Sequence, residues 1–320
     1  MQNIKLFIVL TLLFTNVLMS KNITDPSARA LSFYQMEKAV VDNINSTPAQ
    51  KLGKFVPLTG NLDQLRNFLL KLKSGSSQPI RIAHYGDSLI FGDVITEYLR
   101  EKFQNEYGGK GPGYVATVSD AFRMRLTIRH SYSEDWKYVS FLTRNPEKLP
   151  FGIDGTLAIP VNGSWVRYES SPMRGNVPFS TVRVFYSNAD ANSIIQYKFD
   201  NNATQTMNLE SGSEVKQIVL KSNNSRKIEI KFVSGKQPYF YGVSIENGEG
   251  AYVDNFALRG NTGMSLLDIP AEIMADFQKY LKYDLIILSF GANVSSPSKG
   301  IYVVYVNKMV QVIDQIKKAF

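Results

Sequence analysis

The 320 residues include no cysteine, and the only histidines are His84 and His130. That composition removes thiolate nucleophiles, disulfides, cysteine-based zinc sites and iron–sulfur clusters, and it leaves no His-rich metal site. Chemistry must therefore be sought in hydroxyls, amides and carboxylates. The first group of interest is His84-Tyr85-Gly86-Asp87-Ser88-Leu89. A serine in a tight turn between a strand and a helix lies at the carboxyl edge of its sheet, beside a helix start whose dipole favours developing negative charge. Such a hydroxyl can act as a nucleophile, or it can simply cap the helix. Two more groups combine glycine with amide side chains, Phe256–Gly263 (FALRGNTG) and Ser289–Asn293 (SFGAN). Each is either an ordinary strand-end turn or a source of hydrogen-bond donors. His84 stands in the strand leading to Ser88, which turns it away or into the core. His130 closes Arg123–His130, whose alternation puts Arg123, Arg125 and Arg129 on one face, read as a solvated or glycan-contacting strand face.

The elements that must hold these residues follow from periodicity. Asn61–Lys73 carries Leu62, Leu65, Leu69 and Leu72 at helical spacing, and Ile80–Tyr85 reads as a short strand. Asp93 is placed to cap a helix over Val94–Tyr107, which Gly108-Gly109 ends. Helices are again expected over Ile269–Leu281 and Gly300–Lys318. Between them Leu285–Phe290 (LIILSF) is an apolar run of the kind buried on both faces in a parallel sheet. From about Asp120 to Gly250 the helical period vanishes. Turn clusters recur about every ten residues, among them Asn162-Gly163, Asn223-Asn224 and Ser234-Gly235. Strand-like runs lie between them at Thr181–Tyr186, Ile194–Phe199, Gln217–Leu220, Lys227–Phe232 and Tyr239–Ile245, the pattern of a β-sandwich or jelly roll.

The three groups, in this order and each at a strand end, resemble the sequence blocks of the SGNH (GDSL) hydrolases. The resemblance implies Ser88 as nucleophile, the Gly260 backbone N–H as an oxyanion donor with Gly263 as its rival, and the Asn293 side-chain amide as a further donor. Val294 departs from the acidic residue frequent after this asparagine. The run Gly92–Arg100, continuing to Tyr107–Val115, narrows the likeness to bacterial peptidoglycan O-acetylesterases, which carry a carbohydrate-binding-like β-sandwich inserted after the first block. The fold so implied is α/β, a three-layer, flavodoxin-like parallel-sheet domain interrupted by an all-β sandwich. Its parts are 1–20, a signal peptide or membrane anchor; 21–119, the first part of the hydrolase domain; 120–250, the insert; and 251–320, the second part. The implied activity is hydrolysis of O-acetyl esters on cell-wall or surface glycan with no metal or organic cofactor. An O-acetyltransferase using the same serine and a noncatalytic glycan-binding protein are the alternatives. The family's D-x-x-H block, which supplies the general base, is missing, so the likeness implies a piece of a longer chain. Trp136, Trp165, Tyr168 and Tyr239 are candidate sugar-stacking residues.

Bulk properties set the location. Met1–Lys5 is a short positive start and Leu6–Met19 an apolar run too short for an ordinary membrane span, the form of an export signal, with a retained anchor as the alternative. The expected location is the periplasm or cell envelope. The net charge of +8 favours anionic partners. It is scattered along the chain, however, and no nucleic-acid role is expected.

Overall fold

The computed structural model describes residues 57–320 except 75–77, 122–123, 173–174, 176 and 295–298. The export segment at 1–20 and Arg123 lie outside the described residues. The chain divides into two units, Met1–Gly60 and Asn61–Phe320, and every element below belongs to the second.

The helices α1 (Arg66–Ser74) and α2 (Val94–Tyr107) flank strand β1 (Ile80–Gly86) in sequence. Strand β2 (Lys110–Ala116) follows, and then β3 (Ile128–Tyr132) through β12 (Tyr239–Asn247). The chain continues with β13 (Ala251–Ala257), α3 (Ala271–Leu281), β14 (Leu285–Ser289) and α4 (Lys299–Ala319). Strands β13, β1 and β14 form a parallel sheet in that order. The remaining strands form two antiparallel sheets, one of six strands and one of five.

Alternation along β1 sorts the packing. Ile80 and Ile82 meet Phe68, Leu72, Leu99 and Phe103 of α1 and α2. Ala83 and Tyr85 meet Phe277 of α3 and Val312 of α4 in a larger core. That core runs on without a break into the antiparallel strands, through Tyr114, Phe185 and Tyr241. The Phe277 ring lies 5.2 Å from that of Phe185, 5.5 Å from that of Tyr241 and 6.3 Å from that of Tyr114. Polar groups bind the same seam. Arg81, 1% exposed, donates to Glu246 at 2.6 Å and to Ser244, and it lies 3.5 Å from Asp254. A separate core fills the space between the two antiparallel sheets.

The strand-like runs of the middle region are strands, Ile194–Phe199 among them with the same bounds. Other expectations are corrected. β2 lies within 21–119, yet it pairs antiparallel with β12 in the six-stranded sheet. Its Gly113, at φ +68°, brings the backbone against Asp254, whose Oδ1 a Cβ would overlap. Among the described residues β14 pairs only with β1, at the edge of the sheet, and its five residues are half-buried instead of buried on both faces. α4 leaves Val303, Val304 and Val306 exposed. No helix among the described residues is long and apolar enough to cross a membrane.

Candidate active site

The register of the parallel sheet places the site. Gly86 of β1 lies opposite Ala257 of β13 on one side and Ser289 of β14 on the other. The three strands therefore end level, and the loops that follow them, beginning at Asp87, Leu258 and Phe290, emerge together. Gly86 is required by close approach: a Cβ there would stand 2.8 Å from the Ile90 side chain and 3.1 Å from the Ser289 carbonyl. Asp87, fully buried, accepts from the Leu89 N–H at 2.9 Å, and this bond shapes the turn that leaves Ser88 exposed.

Asn293 ties the loops. Its Nδ2 donates to Asp87 Oδ2 at 3.0 Å and to the Asn261 carbonyl at 3.0 Å. Both partners are pure acceptors, which fixes the amide orientation. Asn261 is itself buried, its Oδ1 accepting from the Gly263 N–H and the Ser265 hydroxyl, each at 2.8 Å. Gly263 is thereby shaped into the turn, while Gly260 is exposed at φ +74°. The Ser88 and Gly260 N–H groups take no hydrogen-bond partner among the described residues. The three sequence-selected positions are thus brought to one edge, two with open backbone donors and one with both amide protons engaged.

The histidines are elsewhere. His84 is buried, its Nε2 2.9 Å from the Ser289 hydroxyl and its Nδ1 3.0 Å from that of Thr96. Burial, with the Arg100 charge, lowers its pKa against the pull of Asp93, so the ring is neutral. It positions β1, β14 and α2 and is not directed at Ser88. His130 is also buried, stacked 4.8 Å from the Tyr168 ring with its Nε2 donating to the Thr117 carbonyl. Of the expected solvated face, Arg129 is exposed on β3 as anticipated, but β3 begins only at Ile128, and Arg125 turns inward before it. Arg125 donates to Asp93 and to the carbonyls of Tyr114 and Pro112. Asp93 is not a cap. At φ +77° it makes no capping bond, and its carboxylate receives Arg100 at 2.7 and 3.0 Å, Arg125 at 3.2 Å and Thr127 at 2.8 Å.

Sequence reasoning missed this cluster, which borders a cavity of about 50 Å³ lined by Asp93, Tyr114, Arg125, His130, Asp154 and Asn255 among others. None of Ser88, Gly260 and Asn293 lines it. Of the candidate sugar-stacking residues, Tyr168 is fully buried and Trp136 packs against the sandwich core. Trp165 is half-buried under the Arg167 guanidinium, and Tyr239 packs against the larger core. No group of three or more acidic or histidine side chains able to hold a metal occurs among the described residues.

No protein-family model matches the chain, and no curated protein matches it in sequence. Among solved structures, the chain is similar to a peptidoglycan O-acetylesterase at 21% identity and a TM-score of 0.61, covering 82% of this chain and 70% of that one. That likeness shows a shared fold. A family two carbohydrate esterase from Cellvibrio japonicus (13% identity, 60% of this chain and 77% of that one) reaches a TM-score of only 0.25. A family 35 carbohydrate binding module from Clostridium thermocellum (14% identity, 37% and 96%) reaches 0.26. Neither score is high enough to bear on the fold.

Proposed function

We propose that this chain is a serine ester hydrolase of SGNH type that cleaves O-acyl, foremost O-acetyl, esters on cell-wall or surface polysaccharide after export. In this reading the parallel sheet is the core of a three-layer hydrolase domain and the antiparallel sheets are its inserted sandwich. The observation that carries it is the convergence of three strand-end loops through Asn293, 3.0 Å from both Asp87 and the Asn261 carbonyl.

Ester cleavage passes through a tetrahedral intermediate whose carbonyl oxygen becomes an anion. Attack by the Ser88 hydroxyl would place that oxygen near the unpartnered Ser88 and Gly260 N–H groups. Asn293 would join them by exchanging one of its two present bonds for one to the oxyanion. A single such donor is worth about 3 kcal/mol of barrier. The serine proton needs an acceptor, and neither His84 nor His130 reaches Ser88. An unassisted serine is a weak nucleophile, so turnover by these 320 residues is expected to be slow. Added imidazole, a soluble base, is expected to raise it.

The test is release of acetate from acetylated glycan, with p-nitrophenyl acetate alongside. Ser88→Ala should abolish release, and Asn293→Ala should lower turnover roughly a hundred- to a thousandfold. With the protein-free rate subtracted, since imidazole itself cleaves p-nitrophenyl acetate, imidazole should stimulate the wild type and leave Ser88→Ala unchanged. Equal rates in wild type and Ser88→Ala would refute the serine mechanism. The Asn293 amide, engaged by both Asp87 and the Asn261 carbonyl, favours, as a second reading, a noncatalytic glycan-binding protein. Glycan binding without acetate release under any of these conditions would support that reading instead.

A further inference from the structure

The loops that converge at the carboxyl edge of the parallel sheet, 87–93, 258–263 and 289–294, hold three charged residues: Asp87, Asp93 and Arg259. The two aspartates are fully buried or nearly so and have their partners inside the protein. Asp87 is held by the Leu89 N–H and the Asn293 amide, Asp93 by Arg100, Arg125 and Thr127. Arg259 differs on both counts. It is exposed, and no carboxylate pairs with it among the described residues.

Its place is specific. Arg259 directly precedes Gly260, and its guanidinium carbon lies 5.3 Å from the centre of the Phe91 ring, on the segment that follows Ser88. The side chain therefore bridges the serine loop and the glycine loop. A ring contact occupies the flat face of a guanidinium and leaves its in-plane N–H donors unoccupied, in the fork that matches a carboxylate. One cation with no carboxylate partner among the described residues, steadied on the segment that follows Ser88, has a clear chemical use: it meets an anion brought by the ligand.

We propose that Arg259 recognises a carboxylate on the substrate, so that the esters cleaved at Ser88 are carried on an acidic sugar. This rests on the esterase reading and specifies its substrate. The net charge of +8 agrees, since a cationic protein gathers polyanionic glycans from solution. The competing use of the same cation, direct stabilisation of the oxyanion, would act on acidic and neutral esters alike.

Two probes separate these possibilities, the O-acetylated methyl glycosides of glucose and of glucuronic acid, which differ by the carboxylate. Binding is measured by calorimetry and acetate release in parallel, for the wild type, Arg259→Ala and Arg259→Lys. The wild type should bind the acidic sugar about tenfold more tightly at low salt. That preference should shrink as salt screens the exposed charge. Arg259→Ala should bring the acidic sugar down to the affinity of the neutral one. Arg259→Lys should keep part of the preference, because the charge remains while the fork is lost. Equal binding of both sugars by the wild type, or a preference that survives in Arg259→Ala, overturns the proposal. So does an equal loss for both sugars in Arg259→Ala, which would assign the cation to the oxyanion. A preserved, Arg259-dependent preference with no acetate released from either sugar supports carboxylate recognition and strikes the esterase reading alone.

Discussion

Asp154, Asp93 and His130 all border the cavity beside β13, and their surroundings push them in different directions. The Asp154 carboxyl is desolvated, and the bonds from Thr156 offset this only in part, so its pKa rises to about 6. Burial would raise Asp93 as well, but the guanidiniums of Arg100 and Arg125 outweigh it and hold that carboxyl down at about 2. Burial lowers His130 to about 3 against its bond to Thr117. The signs differ accordingly. Asp154 binds its proton more firmly folded than unfolded, so its ionisation costs stability as pH rises from about 4 through about 6. His130 costs stability as pH falls below about 6.5, and Asp93 does so as pH falls from about 4 to 2. Asp154→Asn should therefore raise stability at pH 7.5 by about 1–3 kcal/mol and flatten the profile between pH 4 and 6. Urea midpoints across that range would check it, and an unchanged or lower midpoint at pH 7.5 would contradict it. None of this was readable beforehand. An aspartate before a helix reads as a cap; that its φ is positive and that Arg100 and Arg125 enclose it are facts of the folded chain.

At the scale of elements, the placement of the three selected groups at strand ends was the most legible feature. Each of the three selected groups ends a strand, and a parallel sheet whose strands end level gathers whatever follows them. The periods of the middle region also carried through, because turn chemistry and alternation are local signals. β2 was not legible. Lys110–Ala116 contains two glycines and a proline, residues that ordinarily argue against a strand. They serve here because Gly113 lets the backbone lie against Asp254, whose Oδ1 accepts from the Tyr114 N–H at 2.8 Å. Gly113→Ala should strain a positive φ and push into a fully buried carboxylate, lowering stability by about 2–4 kcal/mol. Chemical denaturation would measure it, and a loss below half a kcal/mol would show that β2 yields easily. β14 misled in the other direction: an apolar run reports composition, while its place at the edge of the sheet depends on which strands flank it.

Over the whole molecule, the parallel and antiparallel sheets share one aromatic core and one buried ion network. Phe277 of α3 touches rings from β2, β7 (Phe179–Ser187) and β12, and Arg81 of β1 reaches Ser244 and Glu246 of β12. Residues 61–320 should therefore unfold in one calorimetric transition. Phe277→Ala should shift that transition as a unit, at a cost of about 3–5 kcal/mol. Two transitions, one of them untouched by the substitution, would mean that the halves hold separately. The shared core has a further meaning for how such a chain can change over generations. A β-sandwich joined to its neighbour only by two linkers could be exchanged like a cassette, leaving the rest intact. Here the Phe277 ring has contacts on three strands of the antiparallel sheet, so drift in α3 must be answered by drift in those strands. A transplanted copy of the antiparallel part alone would leave Phe277 without the rings of Tyr114, Phe185 and Tyr241 that pack on it.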